Sequence, residues 1–145
     1  MNILIIDGQG GRLGKLVIER LRAARLSDCI TAVGTNSTAT AAMLKAGATQ
    51  GATGENAVIV NSRRADIIAG PLGIVCADAL LGEVTPAMAL AVGQSCAHKL
   101  LIPTNRCNHQ VIGVDSTLSM NDLAQLAADQ ICRLCAKNEE DLPAL

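Results

Sequence analysis

A short apolar strand, a glycine-rich turn and the start of a helix follow one another in the first 14 residues of the chain. Residues 2–6 read NILII without polar alternation, which is typical of a strand buried on both faces of a parallel sheet. Asp7 ends this run, and residues 8–14, GQGGRLG, show the pattern G-x-x-G-x-x-G with an extra glycine at position 10. Such a turn lets backbone N–H groups approach a phosphate, and the following helix adds the partial positive charge of its N terminus. The stretch therefore predicts a phosphate-binding loop.

Strand-like and helix-like segments alternate along the rest of the chain, which predicts an α/β fold with a mostly parallel sheet. The expected strands are five, at residues 2–6, 29–34, 66–69, 99–102 and 110–114. The expected helices cover about residues 12–25, 56–64, 74–81 and 85–97. Another helix is expected to begin at an N-cap within residues 35–38 and to end at Gly47, and a last helix begins at the capping box of Ser119 and Asp122. Residues 48–55 are expected to form a second glycine-rich loop. The 145 residues are expected to form one domain, 1–145, with a frayed tail at 137–145.

Composition excludes several classes of function. The net charge is −1 and Lys and Arg do not cluster, so no nucleic-acid partner is expected. The chain has no Phe, Trp or Tyr, which excludes base stacking on aromatic rings. No window reaches the roughly 18 apolar residues of a membrane-spanning helix, and no basic leader precedes the first strand. The six cysteines lie mostly in apolar surroundings, as free thiols do in a reducing compartment, so a cytoplasmic protein is expected.

One predicted helix suggests a second copy of the chain. Residues 85–97 begin with Thr85 as the N-cap and Pro86 at the first helical position, and no charged residue follows up to Ala97. A helix that is apolar all round is buried on several sides, and a domain of this size offers few such places. A homodimer formed through this helix is therefore expected.

The glycine loop resembles those of two families that bind NAD(P)H. The sequence Gly8-Gln9-Gly10-Gly11-Arg12-Leu13-Gly14 is similar to the cofactor loop of dihydrodipicolinate reductases, and its glycine spacing is similar to that of extended short-chain reductases. This resemblance covers about the first 30 residues and implies NAD(P) as a cofactor.

Over its whole length the chain resembles an uncharacterised bacterial family of short Rossmann-like proteins, a domain of unknown function. The segments that carry this resemblance are residues 6–11 (IDGQGG), 34–36 (GTN), 45–48 (KAGA), 51–56 (GATGEN) and 82–86 (GEVTP). The resemblance implies a Rossmann-like three-layer sandwich with a mostly parallel sheet, and it implies no particular activity.

Polar and glycine residues stand at the carboxyl ends of several predicted strands, which is where ligands bind to a parallel sheet. The predicted ligand is a nucleotide or another phosphorylated small molecule, with NAD(P) first. The residues predicted to bind it are Gly8, Gln9, Gly10, Gly11, Arg12, Leu13, Thr35, Asn36, Gly70 and Pro71. The alternative of a glycine-rich connection needed only for packing stays open.

Two departures from a dinucleotide site leave further alternatives open. An acid for the ribose hydroxyls is expected about 20 residues after the loop, yet residues 30–53 contain no Asp or Glu. Thr35, Asn36, Ser37 and Thr38 stand there instead. They either bind a ribose or a 2′-phosphate, with Arg12 supplying charge, or they cap the next helix. Asp7 would repel a phosphate, so it either holds Mg²⁺ or a ligand hydroxyl, or accepts hydrogen bonds from loop amides.

The candidate catalytic residues are Asp7, Arg106 and Cys107, because a carboxylate, a guanidinium and a thiol at strand ends can act on an anionic metabolite. The chain has no tyrosine to serve as the acid of short-chain reductases. Cys132 and Cys135 form a C-x-x-C pair without a second pair at zinc spacing, so no metal site is expected. Three hypotheses stay open: a nucleotide-binding protein, a small enzyme acting on a phosphorylated or carboxylated metabolite, and a structural or regulatory subunit without a ligand.

Overall fold

A computed structural model describes residues 1–104 and 109–140 of the chain, with side chains up to residue 138. Helices and strands alternate along it, as the sequence predicts. The strands are β1 (Asn2–Asp7), β2 (Cys29–Gly34), β3 (Gln50–Thr53), β4 (Ile67–Pro71) and β5 (His98–Ile102). The helices are α1 (Arg12–Ala23), α2 (Ser37–Lys45), α3 (Glu55–Ser62), α4 (Pro86–Gln94) and α5 (Met120–Glu140), and a 3₁₀ helix spans Leu72–Val75.

The sheet formed by these strands is parallel throughout and has the order β3-β2-β1-β4-β5. β2 and β3 follow β1 outwards on one side of the sheet, and β4 and β5 lie on the other side of β1. This order leaves a crevice between the carboxyl ends of β1 and β4, where the two halves diverge, and ligands of open α/β sheets bind in such a crevice. Asp7 and Pro71 are the last residues of the two strands that border it.

Helices cover both faces of the sheet and complete three layers. The side chains of Ile3 and Ile5 pack with α1, α2 and α5 on one face, whereas those of Leu4 and Ile6 pack with α3 and α4 on the other. Each of these side chains is at most 1% exposed, which explains why β1 shows no polar alternation. The Rossmann-like three-layer fold predicted from the sequence is confirmed.

Three element predictions made from the sequence are wrong. Residues 50–53, predicted as part of a loop, form the edge strand β3, which pairs with β2. Residues 110–114, predicted as the fifth strand, form turns and irregular chain outside the sheet. Residues 74–81, predicted as a helix, hold only the end of the 3₁₀ helix and a series of turns. The edge strand was missed because a short exposed strand has no apolar pattern. The other two errors arose because a short apolar run in a loop resembles the pattern of a strand or helix.

The predicted helix starts agree with the structure. Asn36 caps α2 and Thr85 caps α4, because each side chain accepts a hydrogen bond from a backbone N–H of the first turn. Ser119 and Asp122 form the predicted capping box of α5, in which each side chain accepts the backbone N–H of the other residue. Local side-chain chemistry is therefore enough to define where these helices begin.

Several helix ends differ from the prediction by a few residues. α4 ends at Gln94 rather than at residue 97. α5 continues to Glu140, so residues 137–140, which were expected to fray, are helical. Residues 141–145 lie outside the part of the chain that the structure describes.

Candidate functional site at the carboxyl ends of the strands

The glycine loop connects β1 to α1, and three of its glycines have neighbours close to the position that a Cβ would take. Gly11 is the N-cap of α1 with a φ of 69°, and a Cβ there would lie 2.7 Å from the Cα of Ala39 in α2. A Cβ on Gly14 would lie 2.5 Å from a methionine sulfur of α2, and one on Gly8 would lie 2.5 Å from a carboxylate oxygen of Glu83. The loop is therefore held closely between α2 and the segment that precedes α4.

Gly10 differs from the other glycines of the loop. It is exposed, and nothing within the described ranges lies within 4 Å of a Cβ built on it. The N–H groups of Gly10 and Arg12 have no hydrogen-bond acceptor among the described residues. Both groups stand at the N terminus of α1, where the helix dipole attracts an anion. This side of the loop is open to a ligand.

Asp7 is a buried carboxylate that braces the glycine loop. Its side chain is 5% exposed and accepts hydrogen bonds from the N–H of Gly8 at 2.8 Å and from the N–H of Gly14 at 2.7 Å. Its carbonyl oxygen accepts the N–H of Thr35 at 3.0 Å. Of the alternatives that the sequence left open for Asp7, the contacts agree with an acid bonded to loop amides.

Burial raises the pKa of Asp7 above its ordinary value of 3.8, and the nearby charge of Glu83 acts in the same direction, while the loop N–H groups lower it. A raised pKa means that the folded protein holds this proton more tightly than the unfolded chain. The stabilisation from Asp7 is therefore complete below pH 3.8 and is lost as the pH rises through the raised pKa.

The free energy of unfolding of the wild type relative to that of Asp7→Asn is accordingly expected to fall as the pH rises from about 4 towards neutrality. Urea unfolding of both proteins across this range measures the difference, and the other carboxylates cancel because both proteins contain them. A difference that stays constant would mean that folding does not raise the pKa of Asp7, and a difference that grows with pH would mean that folding lowers it.

Glu83 is a residue of the site that the sequence analysis missed. Its Oε2 accepts hydrogen bonds from the N–H of Gln9 at 2.6 Å and from the hydroxyl of Thr35 at 2.8 Å. Its Oε1 accepts one from the side-chain amide of Asn36 at 3.1 Å. A carboxylate thus stands beside the end of β2, near the place of the ribose acid that residues 30–53 lack. It comes from the chain after β4 rather than from the chain after β2.

Residues 78–83, called the cover segment below, bring Glu83 to the loop through an unusual backbone. The values of φ are 63° at Asp78, 56° at Leu80 and 58° at Leu81. The carbonyl oxygen of Leu80 accepts a hydrogen bond from the side chain of Gln9 at 3.3 Å. The only sequence signal at Glu83 was the family resemblance of residues 82–86, since turns of this kind have no periodic pattern.

Two neighbouring clefts extend from the loop over the ends of β4 and β5. The first has a volume of about 80 Å³ and lies between the glycine loop, Pro71 and Thr104. The second has a volume of about 430 Å³ and is lined by Leu72, Thr104 and residues of the exposed chain 109–116. Because Thr104 lines both, the clefts adjoin each other along the crevice predicted by the strand order.

The structure brings most of the predicted ligand-binding residues to the crevice. Those that line the small cleft are Gly8, Gln9, Gly10, Arg12, Leu13 and Pro71. Thr35 and Asn36 lie on the β2 side of the loop, where they bind Glu83. Gly11 and Gly70 serve packing, since a Cβ on Gly70 would lie 2.3 Å from the carbonyl oxygen of Ile6 in β1.

The candidate catalytic residues Arg106 and Cys107 lie outside the described residues. Within residues 1–104 and 109–140, no group of three or more His, Cys, Asp or Glu side chains could hold a metal ion. No helix of this part of the chain is long and apolar enough to cross a membrane.

The fold and the crevice define a Rossmann-like α/β protein with a glycine-rich loop after its first strand. A family model described as a domain of unknown function (DUF3842) matches residues 2–136, and the chain belongs to this family. The likeness to an uncharacterised family predicted from the sequence is thereby confirmed. This family is not that of the dihydrodipicolinate reductases, so the likeness to those enzymes concerns the glycine loop alone. No curated protein matches the chain.

A solved structure that is similar to this chain is a dodecameric FMN-dependent UbiX-like decarboxylase from Escherichia coli O157:H7. The two are 17% identical, and the match covers 90% of this chain and 76% of the decarboxylase chain with a TM-score of 0.43. At this TM-score the likeness supports no conclusion about the site, and the flavin is a property of that enzyme.

Proposed function

We propose that this protein binds a nucleotide or another phosphorylated small molecule in the crevice, with a phosphate held by the N–H groups of Gly10 and Arg12. The open side of the glycine loop is the observation that carries this proposal. Packing accounts for Gly8, Gly11 and Gly14, but no described neighbour requires a glycine at position 10. A phosphate can approach the backbone closely here, because Gly10 has no side chain and the N–H groups of Gly10 and Arg12 lack acceptors among the described residues.

The volumes of the two clefts suit a phosphate in the loop and an organic group beside it. The cleft at the loop, of about 80 Å³, is far smaller than the roughly 300–1,000 Å³ of sites that enclose a whole small molecule. The neighbouring cleft of about 430 Å³ falls within that range. In the proposed complex, the phosphate occupies the first cleft and part of the ligand extends over β4 and β5.

NAD(P) is the nucleotide that we propose first. The pyrophosphate of NAD(P) lies in the middle of the molecule. With the pyrophosphate at the glycine loop, one nucleoside would lie over β4 and β5, and the other would lie near the end of β2. β2 ends at Gly34, and the side chains of Thr35 and Asn36, which follow it, can bind a ribose or its phosphate. These residues fit the cofactor that the resemblance of the loop implies.

Thermal unfolding with AMP, FMN, NAD⁺ or NADP⁺ at millimolar concentration tests the proposal, followed by calorimetric titration of each compound that raises the melting temperature. A ligand at 100 times its Kd stabilises the folded state by about 2.7 kcal/mol, which is readily measured. At least one nucleotide is expected to stabilise the protein, and inorganic phosphate is expected to compete with it. A melting temperature that none of the four compounds changes would contradict the proposal.

We also propose that the protein works in the cytoplasm. Free thiols persist in a reducing compartment. The structure has free thiols at Cys29, Cys76, Cys96 and Cys132.

A homodimer through α4 is a further part of the proposal. α4 turns Met88 and Val92 into the core, but Leu90 on its outer side is 59% exposed. A groove of about 490 Å³ lies beside Leu90, between α3 and α4. An exposed leucine next to a groove on an uncharged helix favours contact with another protein surface. The α4 helix of a second copy of the chain is equally uncharged and apolar, so it suits this groove.

Leu90→Glu is expected to convert the dimer to a monomer at micromolar concentration, because a buried charge without a partner is costly at an interface. Leu126→Glu is the matched control, since Leu126 of α5 is 55% exposed and lies outside the proposed contact. Sedimentation velocity measures both variants. A wild type that sediments as a monomer, or a dimer that persists in Leu90→Glu, would exclude this interface.

A further inference from the structure

Glu83 occupies a position that three hydrogen-bond donors surround. The N–H of Gln9, the hydroxyl of Thr35 and the side-chain amide of Asn36 all donate to its carboxylate. We propose that these donors form a second anion subsite, that Glu83 fills it in the absence of ligand, and that a phosphate group of the ligand takes its place. This inference rests on the proposed function, because it extends the same crevice from the glycine loop to the end of β2.

The donors are held in place by contacts that do not involve Glu83. The N–H of Thr35 donates to the carbonyl oxygen of Asp7 at 3.0 Å. The side-chain oxygen of Asn36 accepts a backbone N–H as the N-cap of α2, and its amide nitrogen also donates to the carbonyl oxygen of Gln9 at 2.9 Å. Without Glu83, the three donors would face the space that its two carboxylate oxygens now fill, and they would lack the carboxylate as acceptor. A convergent set of this kind binds anions.

The cover segment is built in a way that allows Glu83 to leave. Leu80 and Leu81 have positive φ, a region that such residues adopt at a cost, whereas aspartate at position 78 tolerates it better. The side chain of Leu81, at the tip of the segment, is 96% exposed. Gln9 donates hydrogen bonds to the carboxylate of Glu83 and to the carbonyl oxygen of Leu80, and these bonds tie the segment to the loop. A phosphate that replaced the carboxylate of Glu83 would keep the three donors satisfied, and the segment would keep its own backbone hydrogen bonds.

The position of the subsite indicates which phosphate fits it. In a Rossmann-like site the adenosine ribose lies at the end of the second strand, and Thr35 and Asn36 directly follow β2. A 2′-phosphate carries the negative charge and the acceptors that replace a carboxylate, whereas the 2′-hydroxyl of NAD carries no charge. Once Glu83 has left, the three donors therefore favour a nucleotide with a phosphate on its ribose, and so NADP over NAD.

Anion rescue tests the subsite without any nucleotide. Glu83→Ala is expected to lower the melting temperature, and inorganic phosphate or acetate is expected to restore part of the loss by occupying the vacated donors. Asp78→Asn is the matched control, because it removes the charge of another carboxylate in the same segment. The carboxylate of Asp78 makes no hydrogen bond with the described residues. The subsite is disproved if phosphate and acetate stabilise Glu83→Ala no more than they stabilise Asp78→Asn.

Calorimetric titration with NADP⁺ and NAD⁺ tests the displacement of Glu83. Glu83→Ala is expected to bind NADP⁺ about tenfold more tightly than the wild type, because no internal anion competes with the ligand. Its affinity for NAD⁺ is expected to change by less than about threefold. Glu83→Gln, which keeps the size and removes the charge, is expected to change in the same direction, and Asp78→Asn is expected to bind as the wild type does.

Two results separate the failure of this inference from the failure of the proposed function. Unchanged or weaker NADP⁺ binding by both Glu83 variants, together with binding by the wild type, would overturn the displacement and leave nucleotide binding intact. If anion rescue succeeds and no nucleotide binds to any of these proteins, the subsite stands and the proposed nucleotide function fails.

Discussion

Gly11→Ala is expected to lower the free energy of unfolding by about 2–5 kcal/mol. The φ of Gly11 is 69°, a region that costs an alanine about 1–2 kcal/mol. The new Cβ would also lie 2.7 Å from the Cα and 2.8 Å from the carbonyl oxygen of Ala39. Both are backbone atoms of α2, so no side chain can turn away, and overpacking of this kind costs about 1–3 kcal/mol. Urea unfolding measures the sum.

Gly10→Ala is the matched control, one position earlier in the same loop. A Cβ on Gly10 meets no described atom within 4 Å, so the variant is expected to remain within about 1 kcal/mol of the wild type. Equal stability of the two variants, or a larger loss for Gly10→Ala, would mean that α2 does not approach the loop at Gly11.

Gly10→Ala is nevertheless expected to weaken the binding of the nucleotide by at least about tenfold, or about 1.4 kcal/mol. The added methyl group stands on the open side of the loop, where the phosphate has to approach the N–H groups of Gly10 and Arg12. Calorimetric titration with the nucleotide that stabilises the wild type measures the affinity. Loss of binding with preserved stability separates a role in the site from a role in the fold.

Gly93→Ala serves as the control for a glycine outside the site. Gly93 lies in α4, and a Cβ there also meets no described atom within 4 Å. This variant is expected to bind the nucleotide as the wild type does and to be more stable by about 0.5–1 kcal/mol, because alanine favours a helix. Equal binding by Gly10→Ala and Gly93→Ala would place the phosphate elsewhere.

The sequence was sufficient to predict elements that local chemistry defines. β1 and α1 follow from an apolar run and glycines, α2 and α4 follow from their N-caps Asn36 and Thr85, and α5 follows from its capping box. β3 could not be predicted in this way. It is a four-residue edge strand, and it exists because its backbone pairs with β2, which is a contact between distant parts of the chain.

The sequence indicated the crevice and most of the residues that line its small cleft, but it did not indicate Glu83. Strand ends with glycine and polar residues indicated the crevice, since the topology of a parallel sheet places all these ends at one edge. The contact between Glu83 and Gln9 joins residues 74 positions apart. It depends on a series of turns with positive φ, and neither spacing nor periodicity predicts such a contact.

The roles of the loop glycines needed the structure as well. The sequence shows the same residue type at positions 8, 10, 11 and 14. Only the neighbours of each position distinguish Gly11, which packs against α2, from Gly10, which faces open space. A pattern of glycines thus predicts a loop, and the three-dimensional contacts decide which member of the pattern is free to meet a ligand.

The most direct test of phosphate binding at the glycine loop is an NMR titration of ¹⁵N-labelled protein with NADP⁺. The amide resonances of Gly10 and Arg12 are expected to shift along a saturating curve, because their N–H groups gain a charged acceptor. The amide of Gly93, in α4, is expected to stay in place. Saturable shifts that leave Gly10 and Arg12 unchanged, or no shifts at millimolar NADP⁺, would contradict binding of the phosphates of NADP⁺ by this loop.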